Sequence, residues 1–358
     1  MSFYDALQMD PSILKSKISK CETTKEKLYY WTAIAVRSVL IVSFAVIFIT
    51  AFSNLLGQEN TPFAVALFCI LLGIRFVNFQ YCIGDSLFTF AAALLILVFA
   101  PSLATAVPKL SIIVHFVCFF MPLYITSQRP ELGNGGLYSF AYVYLSGNAV
   151  FGDVLIKRAV MALIGYVICG VILYRKHKHM HSDTRFHSYV LNFDLNNMVH
   201  LWQFRMAVGV SIILYMGQLF GVERFMWMGF ACASLLSEYP YSHSVKNKFC
   251  QRIIGVIVGS GLFFIIYKIT PESFHSMLGP IGGLCLGFCT DYRYKTAINC
   301  FGALMIASGI YGIEHAAVLR VVNTILGVVF AMVFAYVFHK IIGERFNGDN
   351  NKELKFDI

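Results

Sequence analysis

The sequence predicts an all-α, polytopic transmembrane helix bundle of about twelve helices, arranged as two parallel six-helix repeats. Three observations carry this. Hydrophobic residues make up 58% of the 358-residue chain and charged residues only 13%, where soluble domains carry about a quarter charged. Mean hydropathy is +0.68, and the apolar residues lie in long continuous runs, as helices facing lipid require. Period-two alternation, the mark of a membrane β-barrel, is missing from those runs.

The elements follow in order. Residues 1–30 are polar, hold Lys15, Lys17, Lys20, Lys25 and Lys27, and contain no apolar core of a cleavable signal peptide. They read as a cytosolic amphipathic segment. A span needs roughly 20 apolar residues. Candidate helices fall at 31–55, 61–78, 81–100, 108–127, 136–152 and 155–175, closing a first six-helix repeat over 31–175. A basic linker at 176–202 opens within RKHKHMHSDTRFH and is expected to lie against anionic headgroups. The second repeat, 203–342, contains candidates at 203–221, 224–238, 250–268, 274–290, 296–311 and 316–342. Several are short, and broken or re-entrant segments are expected among them. Residues 343–358 form a tail.

With an even number of spans, Lys and Arg gather on one side. The segments holding Lys15 to Lys27, Arg75, Arg129, Arg175 to Arg185, Lys246 to Arg252, Arg293, Lys295 and Lys340 onward share it. The positive-inside rule makes that side, and both termini, cytoplasmic. The net charge of +9 therefore reflects topology, and no nucleic-acid partner is called for. Membrane lipids are the expected surroundings, and short helices beside a membrane-laid linker suit a homodimer.

The halves resemble each other. Residues 141–174 align without gaps on 303–336, matching Ser146-Gly147 with Ser308-Gly309, Arg158 with Arg320 and Gly165 with Gly327. An offset of 168 pairs Arg37 with Arg205, and one of 164 pairs Thr126 and Arg129 with Thr290 and Arg293. An even number of helices per half gives both halves one orientation, a parallel repeat.

Charges inside apolar helices need a reason. Arg158, Arg252 and Arg320 are each followed seven residues later by glycine, at Gly165, Gly259 and Gly327. Seven residues is two turns, so arginine and glycine share a face. Gly255 and Gly259 form a small-xxx-small pair that lets helix backbones approach closely. Snorkelling to the interface is one account of these arginines. A fixed cation for an anionic substrate group is the other, because arginine keeps its charge and grips carboxylates with two hydrogen bonds. Arg37 and Arg205 lie at cytosolic helix ends, as anchors or as guides for anions. Asp85 sits about a turn into an apolar helix and His115 inside another. Both are proton-coupling candidates, with a salt bridge or helix cap as the rival for Asp85 and a hydrogen-bonded core role for His115. Trp227, Tyr138, Tyr142 and Tyr144 are either interfacial belt residues or the lining of an aromatic path.

Ten cysteines are scattered without a CxxC pair, and the linker histidines His177, His179, His181 and His187 are a weak metal candidate. There is no HExxH, GxSxG or Walker loop. The chain therefore reads as a non-enzyme with no cofactor.

Arg205, Trp227, Pro240 and the run Arg252-Ile-Ile-Gly255-Val-Ile-Val-Gly259 together resemble the fusaric-acid-resistance-like transporters, which include aromatic acid exporters. Val256 stands where that group usually has threonine, and Asn323 replaces the first glycine in Arg320-Val-Val-Asn-Thr-Ile-Leu-Gly327. The chain is compact, without the large cytosolic domains many such proteins carry. The resemblance implies efflux of small organic anions, aromatic or hydrophobic, across a plasma membrane and driven by an ion gradient; a bacterial source fits the compact chain. It does not separate an exporter from a passive anion channel. A non-transporting membrane scaffold is the rival from another class.

Overall fold

The computed structural model describes residues 2–238 and 245–346. Pro240 and the tail from residue 347 lie outside the described residues.

Every described element is helical. Three helices belong to the N-terminal stretch: α1 (Phe3–Gln8), α2 (Pro11–Lys20) and α3 (Thr24–Leu56). Next come α4 (Thr61–Ile74), α5 (Ile83–Ala106), α6 (Ser111–Thr126), α7 (Asn134–Ser146) and α8 (Gly152–His177). The linker holds α9 (Phe186–Val190). Beyond it run α10 (Met198–Leu219), α11 (Met226–Leu236), α12 (Val245–Ile269), α13 (Leu278–Leu286), α14 (Tyr292–Tyr311) and α15 (Ile313–Phe346). All twelve expected helices find a counterpart, α3 to α8 and α10 to α15.

Among the described residues seven helices are long and apolar enough to cross a membrane: Thr24–Leu56, Ile83–Ala106, Pro108–Thr126, Gly152–His177, Met198–Leu219, Asn247–Ile269 and Ile313–Ile341. The other five expected spans fall short for visible reasons. α4 and α11 are apolar but brief, and α7 stops at Gly147. The candidate at 274–290 divides into a 3₁₀ stretch, Glu272–Met277, and the glycine-rich α13. α14 opens Tyr-Arg-Tyr-Lys.

Local chemistry sets the ends. Ser2 and Asp5 form a reciprocal capping box at α1, and Asp10 caps α2 with proline in its first turn. Asn197 caps α10 by accepting from the Val199 N–H. Along α8 the periodicity separates two faces: Leu163, Val167 and Val171 are exposed, while Arg158, Met161, Gly165 and Cys169 are buried. Apolar outside and polar inside is the order a bilayer imposes.

Contacts group the chain into two compact units, residues 1–47 with 246–324, and residues 48–245 with 325–358. A compact unit groups helices by contact, whereas the expected repeats group them by sequence likeness. In the second unit α10 runs along α6, α11 along α7, and α8 along α4 and α5. In the first unit α13 packs on α14 and α3 meets α13, where the Ser38 hydroxyl donates to the Leu284 carbonyl at 2.8 Å.

Four glycines lie where helices approach closely. A Cβ on Gly165 would strike the Leu67 side chain on α4, and one on Gly327 the Met228 backbone on α11. Gly259 lies against the backbone of Ala297, and Gly255 against the Arg293 carbonyl and Thr296. With no hydrophobic drive between helices in lipid, such close approach is what van der Waals packing uses.

Candidate functional site

The most constrained cation is Arg158 in the second unit, fully buried on α8. Its Nε donates to Asn60 Oδ1 at 3.0 Å, and its Nη2 donates to the Asn148 carbonyl, also at 3.0 Å. Asn60 ends the 3₁₀ turn before α4. It is fixed in turn by its amide, which donates to the Leu56 and Val154 carbonyls. Asn148 follows α7, and its own amide donates to the Tyr144 carbonyl and reaches Met226 Sδ. The third guanidinium nitrogen, Nη1, is buried without a hydrogen-bond partner. Among the described residues no carboxylate meets Arg158. Two neutral acceptors orient the fork and leave Nη1 and the whole charge unanswered. Burial of an unpaired charge is expensive, so this geometry suits an arriving anion.

Deeper in the same unit His115 links three helices. Its Nδ1 lies 3.0 Å from the Tyr142 hydroxyl on α7, and its Nε2 3.0 Å from Gln218 Oε1 on α10. An amide oxygen only accepts, so Nε2 carries the hydrogen and Nδ1 accepts from Tyr142. Both ring nitrogens of His115 thus have a side-chain partner.

Arg205 is buried on α10, and its Nη2 donates to the Leu236 and Glu238 carbonyls, closing the C-terminus of α11. A cation there also answers the helix dipole. Trp227 is buried inside α11. The Asp85 carboxylate accepts at 2.8 Å from the backbone N–H of Phe186, the first residue of α9. The contact joins the start of α5 to a linker segment 101 residues away in sequence.

In the first unit Arg252 is half-buried and its Nη1 donates to the Tyr292 hydroxyl at 3.0 Å. Arg320 is buried beside Cys300, and the charges of Arg252 and Arg320 act on each other. Two of the three arginines thus meet in one place, and Arg158 stands in the other unit. Arg37 lies near enough to Asp10 for their charges to interact. Partial burial works against the Asp10 carboxylate, but hydrogen bonds from Ser12, aided by Lys295 and Arg37, bring its pKa below the usual value.

Some hints fade. All ten cysteines are free thiols, and among the described residues no cluster of three metal-ligating side chains forms. His177 turns inward, its Nε2 3.1 Å from the Ile74 carbonyl. The residues that complete the sites, Asn60, Asn148, Gln218 and Tyr292, went unnoticed in the sequence. Their one signal is a polar side chain at the edge of, or inside, an apolar run.

Helices of this length, apolar outward with buried arginines, define a multi-pass α-helical membrane protein. Residues 211–334 match the family model described as fusaric acid resistance protein-like, bearing out the resemblance read from the sequence. The match takes in Trp227, Arg252 to Gly259 and Arg320 to Gly327, and points to membrane transport as the general function. No curated protein and no solved structure matches the chain.

Proposed function

We propose that this chain exports small organic anions, aromatic or hydrophobic, out of the cytosol across a bacterial plasma membrane, driven by an ion gradient. The observation that carries the reading is Arg158: fully buried, oriented by Asn60 and Asn148, and met by no carboxylate among the described residues. Arg252 and Arg320 supply a second positive region. Because His115 spends both ring nitrogens on neutral partners, proton coupling is assigned to Asp85.

The duplicated layout supports the reading. Helix one of the second half, α10, packs on helix four of the first, α6, and helix one of the first half, α3, on helix four of the second, α13. Gly165 and Gly327, matched in sequence, both seat helix six on helix two of their own half.

A passive anion channel is the second reading, favoured by the engagement of Asp85 with a backbone N–H. Flux of 1-naphthoate in proteoliposomes, with and without an imposed pH gradient, decides. Uphill flux that collapses with the gradient and is lost in Asp85→Asn supports the exporter. Downhill flux indifferent to both favours the channel. No flux across a panel of aromatic acids sinks both and brings the scaffold forward.

A further inference from the structure

The linker was expected to lie on headgroups, yet it is tied down onto the second unit. The Cys82 N–H donates to the Thr184 carbonyl at 2.9 Å, the Phe186 N–H to Asp85, and the Tyr124 hydroxyl to the Tyr189 carbonyl at 3.0 Å. Tyr124 and Tyr189 stack at 4.9 Å, and Phe193 stacks on His200 at 5.4 Å.

What lies beneath is polar. Tyr81, Ser127, His200 and Gln203 are almost fully buried, and each keeps a polar atom without a well-formed hydrogen bond: the Tyr81 hydroxyl, which faces Gln128, Ser127 Oγ, His200 Nε2 and Gln203 Oε1. The Tyr189 hydroxyl, carried by the linker itself, faces Gln203 from above and is met no better. They adjoin one another: the Tyr81 and Tyr189 rings are 6.3 Å apart, those of Tyr189 and His200 5.3 Å, and Gln203 Nε2 donates to the Ser127 carbonyl. Burial pushes the Tyr81 and Tyr189 phenols well above their usual range, so both stay O–H donors. One poorly met polar atom in a native interior is common enough; a cluster of them under one cover marks a space meant to be wet at some stage.

The first unit repeats the device. There α1 and α2, the segment before α3, bury Ala6 and Leu14 against Ala33 and Ile34, with Phe288 packed on the cluster. Phe288 and Tyr124 are 164 positions apart, the offset that pairs the neighbouring Thr126 with Thr290. The segment leading into helix one thus docks at the same position in both units.

We infer that residues 184–193 are a gate over a polar antechamber at the linker end of the second unit, latched by Asp85 and Tyr124, which must lift for cargo to pass. Lifting breaks the three hydrogen bonds made by these latches and lets solvent reach the buried polar atoms beneath. The inference rests on the transport reading, and its test has a readout that does not.

The full chain in proteoliposomes serves for both arms. In the first, Ser127→Cys is titrated with a maleimide, labelling being followed on its own peptide. The thiol should react slowly in an otherwise native chain and at least about tenfold faster with Asp85→Ala or Tyr124→Phe added. An unchanged rate in both overturns the latch. In the second, Thr184→Cys is bridged to Cys82 with a short bifunctional maleimide. Bridging should cut 1-naphthoate flux at least about tenfold, while the same reagent on the wild-type chain and a monofunctional maleimide on the variant leave it. Full flux through the bridged protein overturns the gate. If the wild-type chain carries no acid, the transport reading and the gate fall together, and the labelling arm still decides whether Asp85 and Tyr124 hold a cover.

Discussion

Arg158 and Arg252 carry the same sequence signature, arginine with glycine seven residues on, and live in different surroundings. Arg158 is sealed in the second unit between a side-chain amide and a backbone carbonyl. Arg252 is half-buried in the first, shares a phenol, and has Arg320 as a like-charged neighbour. A motif fixes which face of a helix the cation occupies. The helices that come to meet that face, drawn from elsewhere in the chain, decide how much of its charge is answered.

The largest expected effect separates the two. Arg158→Gln should lower 1-naphthoate flux roughly 10–150-fold, the loss of a charged hydrogen bond worth about 1.5–3 kcal/mol. Arg158→Lys should not restore it, because an ammonium cannot replace the planar fork. Arg252→Gln should lose less, since Arg320 keeps its neighbourhood positive. Equal losses with normal amounts of protein in the membrane would erase the distinction.

The glycines sharpen the contrast at smaller cost. Gly259 faces the Ala297 backbone, whereas Gly165 faces the end of the Leu67 side chain. Gly259→Ala should destabilise the detergent-solubilised protein by about 1–3 kcal/mol. Gly165→Ala should cost less, because Leu67 can turn and a backbone cannot. Thermal unfolding compares them, and a larger loss for Gly165 would contradict the packing described.

Gln218→Leu tests the neutral bridge of the second unit. It leaves His115 Nε2 buried without its acceptor, which costs about 1–3 kcal/mol. Flux should change less than in Arg158→Gln; a complete loss of flux in a stable protein would move His115 into the transport chemistry. At the bottom of the scale stands the exposed ion pair of Lys268 with Glu314, at 3.0 Å. Lys268→Ala should shift stability by less than about 1 kcal/mol, and a larger shift would show that this pair braces α12 against α15.

The sequence by itself determined the class of protein, the places of twelve helices and the buried faces of several. Continuous apolar runs leave a chain no other stable form in lipid, and a two-turn spacing puts arginine and glycine on one face wherever the helix goes. It also picked out Arg158, Arg252, Arg320 and Asp85 as anomalies, because a charge in an apolar run is legible without knowing its neighbours. Only the tertiary structure decided what those charges do. Arg205 became a helix cap because α11 ends beside it, and His115 a bridge because α7 and α10 present a phenol and an amide. Asp85 meets the Phe186 N–H because the linker folds back across about a hundred residues. Partners so far apart along the chain leave no periodicity to read: which acceptor meets which donor is settled by packing, and packing is a property of all the helices together.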